Sequence, residues 1–298
     1  MLPAIALVLA ALAPGSHTIP LGGRSYIAHM PDARGPLPVV INFHGGGGNA
    51  ARQERFSGMD AVADREHFIV VYPNGTGRAG ILVWNAGTCC GRAPLQGIDD
   101  VGFTRAVIDD LAKRTSIDRT RIYATGMSNG AMMAYRIAAE ASDLVAAIAP
   151  VSGSMTLVDF HPTLPVPIMH FHSVDDPRAL YNGGLGPPFP LTGTRVLHPP
   201  VERQLAKWIA HNGCPATPKV ERRLTNATTS ATKLVYAPCS SGATVVLWKM
   251  TGSGHVWPGK PARSERLLGK PNLLIDANEE IWAFFRNFRR PAADAAGS

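Results

Sequence analysis

At 298 residues the chain has room for one large α/β domain or two small ones, and no linker-like stretch, internal repeat or low-complexity tract divides it. Its formal net charge is +7. The basic residues are scattered, with small groups at Arg222-Arg223 and between Arg286 and Arg290. No basic-aromatic recognition module accompanies them, so the charge reads as a soluble basic surface and no nucleic-acid partner is expected.

Taken in chain order, residues 2–12 form an apolar run broken by Pro3 and followed by Ala11-Leu12-Ala13, a small-residue pattern of the kind signal peptidases cut. The run is too short to span a bilayer and lacks a basic flank. Residues 1–16 therefore read as a signal peptide or N-terminal arm, residues 17–290 as a single α/β domain and residues 291–298 as a C-terminal tail. Strands are expected at residues 26–30, 39–43, 68–72, 121–125, 144–151, 166–172 and 244–250, all nearly continuous apolar runs, as a sheet covered on both faces requires. Helical patterns lie between them. Phe103, Val107 and Leu111 recur at i, i+4 and i+8, residues 131–139 are rich in Ala and Met, and residues 201–211 suit a helix. Ile281, Trp282, Phe285 and Phe288 mark an amphipathic last helix with Asn278 as its N-cap. Such alternation argues for a mostly parallel sheet with helices on both faces. The Pro/Gly-rich segment at residues 183–200 reads as a surface excursion.

The chemistry concentrates at strand ends. Gly126-Met127-Ser128-Asn129-Gly130 joins a strand to a helix, a sharp turn that holds a serine hydroxyl out at the top of a sheet while the flanking glycines remove side chains that would clash. Upstream, a strand runs into His44-Gly45-Gly46-Gly47-Gly48-Asn49. Downstream, one strand ends at Asp175-Asp176 and another runs into Gly252-Ser253-Gly254-His255. The order Ser, Asp, His with a glycine loop ahead of it is that of an α/β-hydrolase. Ser128 is then the nucleophile, His255 the base that removes its proton, and Asp176, counted from His172, the carboxylate that fixes the imidazole tautomer. The N–H groups of Asn129 and Gly46 are the expected donors to the oxyanion.

Residues 24–288 resemble the secreted esterases grouped as polyhydroxybutyrate depolymerases and feruloyl esterases. The resemblance is carried by the glycine loop and the serine turn. It extends to Tyr72-Pro73-Asn74-Gly75, Trp84-Asn85-Ala86-Gly87 with Cys89-Cys90-Gly91, Asp99-Asp100-Val101-Gly102-Phe103, Tyr181-Asn182-Gly183-Gly184, Asn212-Gly213-Cys214 and Gly254-His255-Val256-Trp257-Pro258-Gly259. The family usually shows His-Gly-Thr-x-Asp before its catalytic acid, where this chain has His172-Ser173-Val174-Asp175-Asp176. The resemblance implies a secreted, or periplasmic, serine esterase of the α/β-hydrolase fold. It would act through an acyl-enzyme on small or polymeric carboxylic esters, namely feruloyl or other plant-polysaccharide esters or short polyhydroxyalkanoates, with no cofactor. An acyltransferase that passes the acyl group to a sugar hydroxyl is the alternative.

Other residues complete the expectations. Trp84 and Trp257 fall in loops beside motifs and are the candidates for substrate contact. Four cysteines allow three connectivities. Cys214 with Cys239 is chosen because they flank a polar stretch that would gain from a staple, which leaves Cys89 and Cys90 as a vicinal pair or two thiols. No spaced Cys/His cluster suggests zinc. His170 and His172 share one face of a strand and read as hydrogen-bonded core or rim residues rather than a metal pair, and Asp99-Asp100 as helix-capping carboxylates.

Overall fold

A computed structural model describes residues 12–189, 193–262 and 264–291. In chain order it runs β1 (Gly15–Leu21), β2 (Arg24–Met30), β3 (Leu37–Phe43), α1 (Ala50–Ser57), α2 (Asp60–Glu66), β4 (Ile69–Pro73), β5 (Thr76–Arg78) and β6 (Ile81–Val83). Next come α3 (Asp100–Arg114), β7 (Ile117–Met127), α4 (Asn129–Glu140), β8 (Ala147–Val151), β9 (Ile168–Ser173), β10 (Gly184–Leu185) and β11 (Leu197–His198). The chain continues through α5 (Val201–His211), β12 (Lys219–Thr225), β13 (Ser230–Tyr236), β14 (Val245–Thr251), α6 (Glu265–Leu268) and α7 (Ala277–Phe285).

Ten strands form one sheet in the order β1-β2-β4-β3-β7-β8-β9-β14-β13-β12. Its centre, from β4 through β14, is parallel at every pairing, and the antiparallel pairings lie toward the two edges. The central strands are covered on both faces because their side chains alternate between two apolar layers. In β3, Val39, Ile41 and Phe43 join the layer that also holds Met133 and Ile137 of α4 and Trp208 of α5. Val40 joins the other, which holds Ile281, Trp282 and Phe285 of α7. Each large apolar side chain fully buried this way contributes about 1.5–3 kcal/mol before conformational entropy is subtracted.

All seven expected strands are present, with ends moved by a few residues. The edge strands β1 and β12, and β13 beside β12, were not anticipated. In β12 most residues are exposed, so the strand carries polar side chains and little of the apolar signal that marks a strand in sequence. Residues 15 and 16 belong to β1, and residues 1–11 and 292–298 of the expected leader and tail lie outside the described residues. Asn278 is not the cap of α7. Asp276 is, accepting from the N–H groups of Asn278 and Glu279, while the Asn278 side chain is buried, accepting from Trp257 Nε1 and donating to the Ser57 carbonyl. Among the described residues no helix is long and apolar enough to cross a membrane.

The parallel centre places the chemistry. Strands β3, β7, β9 and β14 point the same way, so the loops at their C-terminal ends, which carry the glycine run, Ser128, Asp176 and His255, meet at one edge of the sheet.

Candidate active site

Ser128 occupies the single residue between β7 and α4, at φ 58° and ψ −118°. A side-chain-bearing residue in this region costs about 1–3 kcal/mol, which the surroundings must offset. They do so by pinning the turn on both sides: Ser128 N–H donates to the Val151 carbonyl at 2.9 Å, and Met132 N–H to the Ser128 carbonyl at 3.0 Å. The glycines follow from crowding. A Cβ on Gly126 would lie 2.7 Å from the Phe43 carbonyl oxygen, and one on Gly130 would press on the carbonyls of both Phe43 and His44. The turn can pass this close to β3 only without side chains.

His255 and Asp176 are joined. His255 Nδ1–H donates to Asp176 Oδ2 at 2.8 Å, and both residues are buried. The carboxylate is held from three other directions. Its Oδ1 accepts from the backbone N–H groups of Arg178 and Ala179, each at 2.8 Å, and His172 Nε2 lies 3.5 Å from Oδ2. Burial alone would raise the carboxyl pKa, but the charge of His255 and the hydrogen bonds from His172 and His255 outweigh it and hold Asp176 below the usual carboxylate range. The neighbouring Asp175 is exposed and faces elsewhere, accepting from Gly252 N–H at 2.7 Å. His255 itself is carried on a loop fixed by its N–H to the Leu268 carbonyl and by Gly254 N–H to the Lys270 carbonyl. With Nδ1 engaged by Asp176, Nε2 is the nitrogen left for the cleft that His255 and Ser128 both line.

The glycine run is a built loop. Gly47 N–H donates to the Leu82 carbonyl and Leu82 N–H to the Gly48 carbonyl, which clamps the run to β6. His44 does the rest. Its Nε2 accepts from Gly75 N–H at 3.0 Å, so the proton of the neutral ring sits on Nδ1, which donates to the Gly45 carbonyl at 2.8 Å. Burial pushes the His44 imidazole down to about 4, so the neutral ring is the form present at neutral pH. Gly48 N–H donates to the same Gly45 carbonyl at 2.9 Å. In a planar trans peptide the N–H points opposite to the C=O, so fixing the Gly45 carbonyl against His44 and Gly48 aims Gly46 N–H the other way. A Cβ on Gly45 would lie 3.5 Å from Ser128 Cβ, and one on Gly46 3.6 Å from Asn129 Cβ, so the loop lies directly against the serine turn. The N–H of Asn129, in the first turn of α4, has no intrahelical acceptor.

Ser128, His255, His44 and the glycine run border a cavity of about 270 Å³. Phe56, Met132 and Phe189 supply much of its apolar wall, with Leu267 and Leu268 on another side. The two tryptophans expected to touch substrate do not border it, and that expectation is corrected: both are fully buried. Trp84 stands behind the glycine loop, its Nε1 donating to the His44 carbonyl and its ring against Phe43 and His44, while the Asn129 side chain clamps its backbone N–H and carbonyl. Trp257 turns inward to Asn278 and meets Phe56 edge-on.

Cys214 and Cys239 are joined by a disulfide, the pairing expected from the polar stretch between them. Cys89 and Cys90 are also joined, and both border the cleft. Asp99 caps α3 by accepting from Gly102 N–H at 2.7 Å. Asp100 instead is buried in an ion pair with Arg24 at 2.8 Å and accepts from Asn85 N–H. His198, on the excursion after residue 183, borders the cleft beside His255. Sequence reasoning missed it, since a lone histidine in a Pro/Gly-rich segment carries no pattern. The locking role of His44 was legible only as its place ahead of four glycines. Away from this edge, His29, Glu54 and Asp60 bring donor atoms within 4.8 Å of one another, but these atoms are already engaged by Ser16, Asp64 and Tyr72.

A sequence profile described as esterase PHB depolymerase matches residues 24–188, a span that holds the glycine loop, Ser128 and Asp176. The chain belongs to this family. Feruloyl esterase B of Piromyces equi is 30% identical over 223 residues, covering 73% of this chain and 39% of its own length. NocK of Nocardia uniformis subsp. tsuyamanensis, described as an esterase, is 32% identical over 270 residues, covering 83% of this chain and 74% of its own. Among solved structures, the acetyl xylan esterase from Aspergillus awamori superposes with a TM-score of 0.58 at 16% identity, covering 88% of this chain and 94% of that one. That likeness establishes the α/β-hydrolase fold. Both sequence relatives are described as esterases, and the chain spans 39% of the length of the first.

Proposed function

We propose that the protein is an exported serine esterase that cleaves carboxylic esters through Ser128, His255 and Asp176. One observation carries the reading: the strained turn at Ser128 and His255, which is hydrogen-bonded behind to Asp176, come from distant parts of the chain and border one cleft against a locked glycine loop. In the reaction Ser128 Oγ attacks the ester carbonyl carbon while His255 Nε2 takes its proton. Asp176, held ionised, orients the ring and stabilises the imidazolium. The carbonyl electrons move onto oxygen, and the N–H groups of Gly46 and Asn129 receive the resulting charge. His255 then returns the proton to the departing alcohol, leaving an acyl-enzyme that water cleaves by the same steps.

The cleft volume and its short apolar wall suit a small or aromatic acyl group better than a long fatty chain. With Trp84 and Trp257 buried, Phe56 and Phe189 are the rings available to a phenolic acyl group. Feruloyl or other plant-polysaccharide esters and short polyhydroxyalkanoates are the substrate classes proposed. Two disulfides agree with export to an oxidising compartment. Ser128→Ala should lower kcat by roughly 10⁴ to 10⁶ with folding intact, measured on methyl ferulate, a soluble 3-hydroxybutyrate oligomer and acetylated xylan. A folded Ser128→Ala protein with undiminished turnover on these esters would falsify the mechanism.

A further inference from the structure

Behind Asp176 the hydrogen bonding continues into the core. Tyr135, on the helix that follows the nucleophile, places its hydroxyl 3.0 Å from His170 Nδ1. His170 Nε2 lies 3.0 Å from His172 Nδ1. His172 Nε2 lies 2.7 Å from the Ala179 carbonyl oxygen and 3.5 Å from Asp176 Oδ2. All three side chains are buried. Packing alone gives no reason to bury two imidazoles and a phenol, since each polar atom costs free energy unless partnered. Here every nitrogen and the hydroxyl are partnered in a single file that ends at the acid.

The protons in this file can be assigned from its acidic end. The Ala179 carbonyl and the Asp176 carboxylate are acceptors only, so His172 Nε2 must carry a hydrogen. With both imidazoles neutral, His172 Nδ1 is then a lone pair, His170 Nε2 carries the hydrogen between the rings, His170 Nδ1 is a lone pair, and the Tyr135 hydroxyl donates to it. Complete burial holds His170 well below the ordinary histidine range, which keeps that ring neutral. The chain also closes on itself at its end: Ala179 accepts from His172 through its carbonyl and donates through its N–H to Asp176. Apart from Asp176, the titratable groups facing His172 are His170, Tyr181, whose ring lies edge-on at 5.6 Å, and His198.

We propose that Tyr135, His170 and His172 are positioning residues: a proton-ordered chain that holds Asp176 and its loop in register with the helix carrying the nucleophile. Strand β9 makes this possible because residues 170 and 172 share one face, toward α4. The inference rests on the reading of Asp176 as the acid of the triad, and its test separates the two.

Tyr135→Phe keeps the ring and removes the one hydroxyl that ties the file to the helix carrying the nucleophile. It should lower kcat roughly 3- to 10-fold with KM unchanged, the scale of one buried hydrogen bond. In an Asp176→Asn background the same change should cost nothing further, because the residue it acts through is already disabled. An equal loss in both backgrounds, or no loss in either, overturns the proposal. Independently of any variant, ¹H–¹⁵N spectra of the histidine-labelled wild-type protein at neutral pH should show both His170 and His172 as neutral rings protonated at Nε2. Either ring found protonated at Nδ1, or found as an imidazolium, also overturns it. Full activity in Ser128→Ala would sink the triad reading instead, and would leave the tautomer result standing.

Discussion

Replacing His44 by phenylalanine tests whether the glycine loop is built by backbone locking. The substitution keeps a ring against Trp84, whose centroid lies 4.8 Å from that of His44, and removes both ring nitrogens. Gly75 N–H, which donates to Nε2 at 3.0 Å, loses its acceptor inside the protein, at a cost of about 1–3 kcal/mol. The Gly45 carbonyl loses Nδ1–H but keeps Gly48 N–H at 2.9 Å, at a cost of about 0.5–1.5 kcal/mol. Stability should therefore fall by about 2–4 kcal/mol, measured by urea unfolding. The catalytic effect is separate. With the carbonyl held from one side only, the Gly45-Gly46 peptide can rotate, and the loss of one oxyanion donor costs roughly 10² to 10³ in kcat. The assay is kcat and KM for p-nitrophenyl acetate under conditions where the variant is fully folded. A variant destabilised as expected but with kcat within about threefold of wild type would refute the orientation argument, although not the hydrogen bonds.

The same histidine makes stability depend on pH. Its folded pKa, about 4, lies below the ordinary value of 6.5, so between these values the unfolded chain binds a proton that the folded one does not. Stability is thus fully present above pH 6.5 and is lost as pH falls toward 4, by about 3 kcal/mol from this group, with His198 acting in the same direction. Urea midpoints for wild type and His44→Phe should converge as pH falls through this window, and parallel pH profiles would refute the assignment. Asp176→Asn should lower kcat by roughly 10⁴, and Asp175→Asn, which keeps an acceptor oxygen for Gly252 N–H, should leave it near wild type; the reverse ranking would overturn the choice of acid. Trp257→Ala should cost about 3–5 kcal/mol of stability and shift kcat/KM equally for methyl ferulate and an acetyl ester, because the ring is buried. A selective loss on the ferulate would restore the ring as a substrate contact.

Much was legible in the residues because it depends on local backbone demands and on order along the chain. Ser128 between two glycines, at the junction of a strand and a helix, describes a turn that side chains would block. The later Asp and His fall at strand ends, and a parallel sheet brings such ends to one edge whatever the intervening loops do. The near-continuous apolar runs of the central strands likewise report burial on both faces. Orientation and long-range pairing were not legible. Trp84 and Trp257 sit beside motifs, but a loop residue reads the same in sequence whether its ring faces the cleft or the core; the His44 carbonyl and the Asn278 side chain accept from their ring N–H groups and turn them inward. Strands β12 and β13 carry polar faces at a sheet edge, so the hydrophobic signal that reveals a strand is missing where solvent takes the place of a second layer. The buried file from Tyr135 through His170 and His172 to Asp176 depended on α4 packing across β9, a contact between residues 35 positions apart. In the sequence those histidines were two polar residues on one strand face. Only the tertiary structure decided what each nitrogen meets, because a hydrogen bond is set by distance and direction in space and local sequence specifies neither.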